Sequence, residues 1–97
     1  MTRTVVFRPE ADDEAVEVRN WYEARRPGLG SEFGAEVDAT VTRIVEHPLA
    51  YPRVLGETRR AVLNRFPYAI YFRATPETII VLAVHGRQDP ARWQSRV

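Results

Sequence analysis

The 97-residue sequence contains no cysteine and no lysine, and it has no long hydrophobic run. Without cysteine, the chain cannot form a disulfide or present a thiolate to a metal ion or a substrate. No segment approaches the roughly 20 apolar residues of a transmembrane helix. The N-terminal stretch turns acidic before any apolar run long enough for a signal peptide. These absences argue against a disulfide-stabilised or membrane protein, and they predict a cytoplasmic location.

The absence of lysine makes arginine the source of all fourteen basic side chains. Arginine stays charged near neutral pH and binds phosphate or carboxylate with a planar fork, but it is a poor proton carrier. The chain is therefore rich in anion-binding groups and poor in groups that could serve as a general acid or base.

The net charge of +1 conceals an uneven distribution. Residues 1–50 contain six arginines and ten acidic residues, whereas residues 51–97 contain eight arginines and three acidic residues. A basic half of this kind is typical of a surface that meets an anion or an acidic partner. The small net charge and the acidic first half disfavour a general DNA-binding domain.

The first half of the chain predicts one strand and two helices. Residues 4–8 form a strand candidate, and a helix should begin at Pro9, run to about Arg26 and end at a turn over 27–30. The acidic first turn of this helix complements the helix dipole. The predicted buried stripe of the first helix is Ala11, Ala15, Val18 and Tyr22, with Trp21 beside it.

Ser31 is the predicted N-cap of the second helix, which should end at His47–Pro48. Because about four residues separate the helices, they should form an antiparallel hairpin. The predicted buried stripe of the second helix is Phe33, Val37, Val41, Ile44 and Val45.

The second half of the chain predicts a loop followed by three strands. Residues 48–58, which include two prolines, are predicted to be a loop, and the strand candidates are 59–66, 68–74 and 79–85. The last candidate is apolar on both faces and should be an interior strand. The predicted fold is α+β: an N-terminal strand, an antiparallel helical hairpin and a three-stranded antiparallel meander packed against it, in a single domain over 1–97. The place of the first strand in the sheet is left open.

Four sequence segments carry a resemblance to a known family. They are WYEARRPGLGSEF at 21–33, HPLAYP at 47–52, RRAVLNRFPYAIYF at 59–72 and VLAVHGRQDPARWQ at 81–94. With these segments, the chain resembles toxins of the RelE/ParE superfamily from bacterial type II toxin–antitoxin pairs, over nearly its whole length. The glycine-containing hairpin and the RFPY turn favour the ParE-like branch. Relatives of ParE inhibit DNA gyrase, and relatives of RelE cleave messenger RNA on the ribosome.

RNA cleavage by 2′-hydroxyl attack needs a base, an acid and a cation at the phosphate. RelE-type nucleases resemble one another in a basic cluster that includes lysines, which this chain lacks. If the protein is a nuclease, the catalytic candidates are His85 and Arg87, because Gly86 permits close approach and side chains two apart on a strand share a face. His85 also fits a second interpretation, as a locally hydrogen-bonded residue at a strand end.

A gyrase inhibitor needs a binding surface and no catalytic groups, which suits an arginine-rich sheet. Arg59 and Arg60 are adjacent in a predicted strand, so their side chains should point to opposite faces. Ordinary salt bridges are the alternative for each arginine, and Trp93 could instead pack the tail over the sheet. The candidates for binding the target or the antitoxin are Arg59, Arg60, Arg65, Arg73, Arg87 and Trp93.

Three functions are therefore open: gyrase inhibition by binding, which is favoured, ribosome-dependent cleavage of mRNA, and a non-toxic remnant that only binds an antitoxin. All three predict a hetero-oligomer in which a disordered acidic segment of a cognate antitoxin folds onto the basic half. The sequence predicts no metal site, since its two histidines have no further ligands at matching spacing. It also predicts no cofactor, because no glycine-rich phosphate loop precedes a helix.

Overall fold

The computed structural model describes residues 3–86, which form a layer of two helices on one face of a five-stranded sheet. The strand order is β1-β5-β4-β3-β2. The elements are β1 (Thr4–Phe7), α1 (Pro9–Arg25), α2 (Leu29–Glu46), a 3-10 turn (Pro48–Ala50), β2 (Arg53–Leu55), β3 (Thr58–Val62), β4 (Tyr68–Ala74) and β5 (Thr78–Gly86). This arrangement confirms the predicted α+β fold, helical hairpin and meander. Neither helix of this part of the chain is long and apolar enough to cross a membrane.

The first strand lies at one edge of the sheet and pairs in parallel with β5, with Thr4 opposite Thr78 and Phe7 opposite Val81. The other neighbour of β5 is the antiparallel β4, so the predicted interior strand is confirmed. β1 has four residues and β5 has nine, so the second half of β5 continues past the end of β1. That length difference leaves a stretch of β5 edge that a neighbouring element must cover.

The second helix begins earlier than predicted. Its N-cap is Gly28, in the left-handed region at φ 90°, and not Ser31. The carboxylate of Glu23, near the end of α1, accepts hydrogen bonds from the backbone N–H groups of Gly28 at 2.9 Å and Gly30 at 3.0 Å. A side chain from the preceding helix therefore satisfies amide donors at the start of α2, and no serine cap is needed.

Two predictions about the strands are wrong in detail. The predicted loop over 48–58 contains β2, which joins β3 through a tight turn where Gly56 has φ 54°. A three-residue strand directly after Pro52 carries too little periodicity to be recognised. The predicted strand over 59–66 ends at Val62, because the following backbone turns toward α2 and donates hydrogen bonds to the carboxylate of Glu36 from Asn64 and Arg65.

The core lies between the helices and the sheet. Four aromatic rings from α1, α2 and the RFPY turn pack with centroids 4.9–6.2 Å apart: Tyr22, Phe33, Phe66 and Tyr68. The predicted stripe of α2 is confirmed, since Phe33, Val37 and Ile44 are buried and Val41 and Val45 pack against them. Trp21 was wrongly placed beside the core: it is 50% exposed, and the guanidinium of Arg25 stacks over its ring at 3.9 Å.

The two glycines of α2 provide a matched test of the hairpin. A Cβ at position 30 would lie 2.6 Å from the backbone oxygen of Arg19, whereas a Cβ at position 34 would lie 3.6 Å from its nearest contact, the Cδ atom of the same arginine. We expect Gly30→Ala to lower the free energy of unfolding by about 1–3 kcal/mol, because the helices must separate. We expect Gly34→Ala to be neutral or to stabilise by up to about 1 kcal/mol. Urea denaturation of both variants checks this, and equal stabilities would contradict a close helix crossing at Gly30.

Candidate functional site

The side chain of His85 is held by the first helix. Glu14 of α1 reaches the uncovered edge of β5, where its Oε1 accepts a hydrogen bond from the backbone N–H of Val84 at 3.0 Å. Its Oε2 contacts Nε2 of His85. One carboxylate thus satisfies an edge amide and orients the imidazole, across about 70 residues of sequence. Both side chains are largely buried, with 3% of His85 and 11% of Glu14 exposed.

This geometry limits what His85 can do chemically. Nε2 of the imidazole faces this carboxylate, while the buried Nδ1 has no hydrogen-bond partner among the described residues. A general acid must come within about 2.6–3.2 Å of the atom that it protonates. The adjacent depression, lined by Glu17, Val18, Tyr68 and Gly86, has a volume of about 140 Å³, below the roughly 300–1,000 Å³ of typical ligand pockets. Glu14 and His85 thus form a buried bridge between α1 and β5.

Two of the predicted binding arginines lie on the helix side and are engaged within the chain. Arg59 pairs with Phe72 of the core, and its Nη1 donates to the carbonyl oxygen of Tyr51 at 2.6 Å, which holds the turn before β2. Arg65 forms an ion pair with Glu32 of α2 at 2.7 Å. The sequence left open whether these two arginines contact a partner, and in the structure each of them contacts another part of the same chain.

Two other predicted arginines lie on the opposite, outer face of the sheet. Arg60 pairs with Tyr71, which belongs to a separate small cluster on that face, so the prediction that Arg59 and Arg60 point to opposite faces is confirmed. The Nε of Arg60 is buried and lacks a hydrogen-bond partner within residues 3–86. Arg73 lies two residues after Tyr71 on the same strand face and is exposed. Arg87 and Trp93 lie outside the described residues.

Besides the capping role of Glu23, sequence reasoning missed the roles of three further acidic residues. Glu14 belongs to the acidic first turn that complements the helix dipole, and it also falls on the stripe of Ala11, Ala15 and Val18. A carboxylate on an apolar stripe indicates a buried polar partner. Glu32 and Glu36 are half-buried on α2, and their hydrogen bonds are to Arg65 and Asn64. Their partners are far apart in sequence and meet them only in the folded chain.

The Glu14 bridge can be tested directly. We expect Glu14→Ala to destabilise the protein by about 2–3 kcal/mol, because the Val84 amide and the His85 ring would be left buried without an acceptor. Glu17 is exposed and lies about one helical turn from Glu14, so Glu17→Ala should change stability by less than about 0.5 kcal/mol. Thermal and urea denaturation of both variants measure the difference. Equal effects of the two substitutions would show that the contacts of Glu14 with Val84 and His85 do not contribute to stability.

The contact between Arg65 and Glu32 has a titration signature. A hydrogen bond from Arg65 is the main cause that lowers the pKa of the Glu32 carboxyl below its ordinary value, and the charge of Arg26 adds a smaller effect. A carboxyl whose pKa is lowered by folding stabilises the protein above its unfolded-state pKa and loses that contribution as the pH falls. We expect Arg65→Ala to raise the Glu32 pKa more than Arg26→Ala does, as followed by NMR titration. The reverse order would contradict the observed geometry.

Comparison with known proteins identifies the family. The model of the ParE toxin of the type II toxin–antitoxin system, parDE, matches residues 5–90. Toxin ParE2 of Mycobacterium tuberculosis is 30% identical over 99 residues, in an alignment that covers all of this chain and 94% of the relative.

Solved structures share the fold at low sequence identity. A chain of the chromosomal ParDE system from P. aeruginosa superposes with a TM-score of 0.77 at 15% identity, covering 88% of this chain and 96% of that one. A free E. coli RelE with two arginine-to-alanine substitutions superposes with a TM-score of 0.71 at 13% identity, and the match covers 99% of this chain and 94% of RelE. A chain of the M. tuberculosis RelBE2 toxin–antitoxin complex superposes with a TM-score of 0.58 at 20% identity, and the match covers 90% of this chain and 100% of that one. With the family model matched over most of its length, this chain belongs to the ParE toxin family of type II toxin–antitoxin systems.

Proposed function

We propose that this toxin acts by binding DNA gyrase and that a cognate antitoxin neutralises it. The observation that carries the proposal is the burial of His85 against Glu14 in a chain that has no lysine. A ribonuclease on this fold would need an accessible proton carrier beside its cations. An inhibitor that binds needs only a rigid, complementary surface.

The relatives support the toxin role and the antitoxin partner. The matching family model describes a toxin of the parDE system, and two of the similar folds come from a ParDE system and a RelBE2 toxin–antitoxin complex. The excess of arginine in residues 51–97 supports an acidic partner segment. We therefore propose that this protein forms a hetero-oligomer with its antitoxin and acts in the cytoplasm, where gyrase acts.

The distribution of the arginines supports a specific binding face. Arg59 and Arg65 hold the protein's own loops, so they are poor candidates for a contact with the target. Arg60 and Arg73 remain on the outer face of the sheet, where Arg60 is half-buried and Arg73 is exposed. These two arginines form the proposed surface for gyrase or the antitoxin. Arg87 and Trp93, the other predicted binding residues, lie outside the described residues.

A supercoiling assay with purified, antitoxin-free protein tests the proposal. We expect the toxin to inhibit supercoiling by gyrase or to cause cleaved DNA to accumulate. Arg60→Ala should weaken the effect at least about tenfold, the size expected for an important interface arginine. The control is Arg53→Ala, which removes an exposed arginine on β2 whose ion pair is with Glu57 of the same hairpin. Circular dichroism verifies that both variants are folded.

Messenger RNA cleavage on the ribosome is the alternative activity, and the same protein distinguishes it. Cleavage of mRNA in a purified translation reaction, with no effect on gyrase at high micromolar concentration, would overturn the proposal. In that case, His85→Gln and Arg87→Ala should abolish cleavage and leave ribosome binding intact. Absence of growth inhibition when the toxin is induced alone would instead indicate a remnant that only binds the antitoxin.

A further inference from the structure

A row of exposed side chains runs along one side of the first helix. Successive members are three or four residues apart, and this spacing places them on the same side of a helix. Val16 lies at the centre of the row with 45% exposure, and the other members are charged. The members of this α1 row are Arg8, Asp12, Val16, Arg19 and Glu23. Arg8 is the N-cap residue, so the row begins where the helix begins.

The α1 row borders a groove between the two helices, with a volume of about 250 Å³. Gly34 of α2 leaves room in this groove for the stem of Arg19, since a Cβ at position 34 would lie 3.6 Å from the Cδ atom of that arginine. Because the helices are antiparallel, Asp38 lies one turn from Gly34 in the direction of Asp12. The groove is therefore acidic at one end and basic at the other. Its apolar lining consists of Phe7, Ala15, Val16, Phe33 and Val37.

The charges beside this groove are available to a partner. No ion pair between residues 3 and 86 engages Arg8, Asp12, Arg19 or Asp38. The carboxylate of Glu23 accepts hydrogen bonds from two amides, and its two oxygens can accept further ones. A partner can therefore pair with each charge of the α1 row without breaking a contact of the fold.

The order of the charges makes the α1 row complementary to itself. Asp12 and Arg19 lie four and three residues from Val16, and Arg8 and Glu23 lie eight and seven residues from it. The signs along the row are positive, negative, apolar, positive and negative, so reversing the row exchanges the sign at every charged position. Two antiparallel copies thus set Asp12 opposite Arg19 and Arg8 opposite Glu23, with the two Val16 side chains in contact. An isologous interface across a two-fold axis requires this kind of self-complementarity.

We infer that the α1 row is the interface of a two-fold symmetric dimer of this toxin, in which the first helices of two copies pack antiparallel. The row from Arg8 to Glu23 is about 23 Å long. A contact of this length lies at the small end of stable interfaces, so we expect a Kd in the micromolar range. Because the helices cover one face of the sheet, the outer faces of both sheets point away from the dimer axis. The inference goes beyond the proposed function and does not depend on the target of the toxin.

Charge reversals test the interface. Asp12→Arg and Arg19→Glu should each raise the Kd of the dimer at least about 30-fold, because each sets like charges opposite one another twice across the two-fold axis. The controls make the same changes in charge elsewhere: Glu17→Arg on another side of the same helix, and Arg53→Glu on β2. We expect each control to raise Kd less than about threefold. Sedimentation equilibrium of antitoxin-free protein measures Kd, and circular dichroism verifies folding.

The two reversals complement each other when they are mixed. In a dimer of one Asp12→Arg copy and one Arg19→Glu copy, every cation at these positions again faces a carboxylate. We therefore expect a 1:1 mixture to dimerise with a Kd within about threefold of the wild-type value, although each variant alone is largely monomeric. Local damage to the helix by either substitution predicts no such rescue.

Val16 provides an independent readout, because the chain has no cysteine. A residue on the two-fold axis faces its own copy, and its Cα atoms can come within the distance that a disulfide spans. Val16→Cys should therefore give a covalent dimer when diamide oxidises the two thiols. The control is Val62→Cys on β3, where the valine is 38% exposed, and it should remain a monomer on a non-reducing gel.

Three outcomes would overturn the inference. Wild-type toxin that stays monomeric at about 1 mM would show that no such dimer forms. Dimerisation that both charge reversals leave unchanged, or a 1:1 mixture that stays monomeric, would place the interface elsewhere. None of these outcomes bears on the proposed target, because inhibition of gyrase is assayed separately.

Discussion

The difference in length between β1 and β5 is the constraint around which the rest of the structure is arranged. β1 ends at Phe7, and Pro9 begins α1 immediately, so the second half of β5 has no strand on that side. Glu14 of α1 takes the place of the missing strand by accepting the hydrogen bond of the Val84 amide. A polar bond at the sheet edge thereby fixes where the helical layer sits, and it buries the only histidine of the sheet strands between residues 3 and 86.

Arginine has two different roles in this protein because the sheet has two different faces. On the helix side, the guanidinium groups find carbonyl and carboxylate oxygens of the chain itself, and they hold the turn before β2 and the RFPY turn in place. On the outer face, Arg73 lies among half-exposed apolar residues, and no ion pair of the described residues engages it. A count of arginines thus overstates the binding surface, since part of the positive charge is used for folding.

The fold itself does not distinguish binding from catalysis in this family. Chains named ParE and RelE both superpose on this one with TM-scores above 0.7. The chemistry of individual side chains must decide, because a common scaffold can carry unrelated activities. The proposal of recognition by surface complementarity rests on two such side chains, the buried His85 and the exposed Arg73.

The sequence by itself determined the helical hairpin, the interior character of β5 and the opposite orientation of Arg59 and Arg60, because each depends on local periodicity and turn residues. It also carried the family resemblance, which the matched family model confirms. Only the tertiary structure decided that β1 pairs in parallel with β5, that Glu23 caps α2 in place of Ser31, and that Glu14 holds His85. These contacts join residues whose separation in space is set by the packing of whole elements, so no local pattern encodes them. The different contacts of the arginines on the two faces also result from the packing of whole elements, because that packing determines which groups lie beside each arginine.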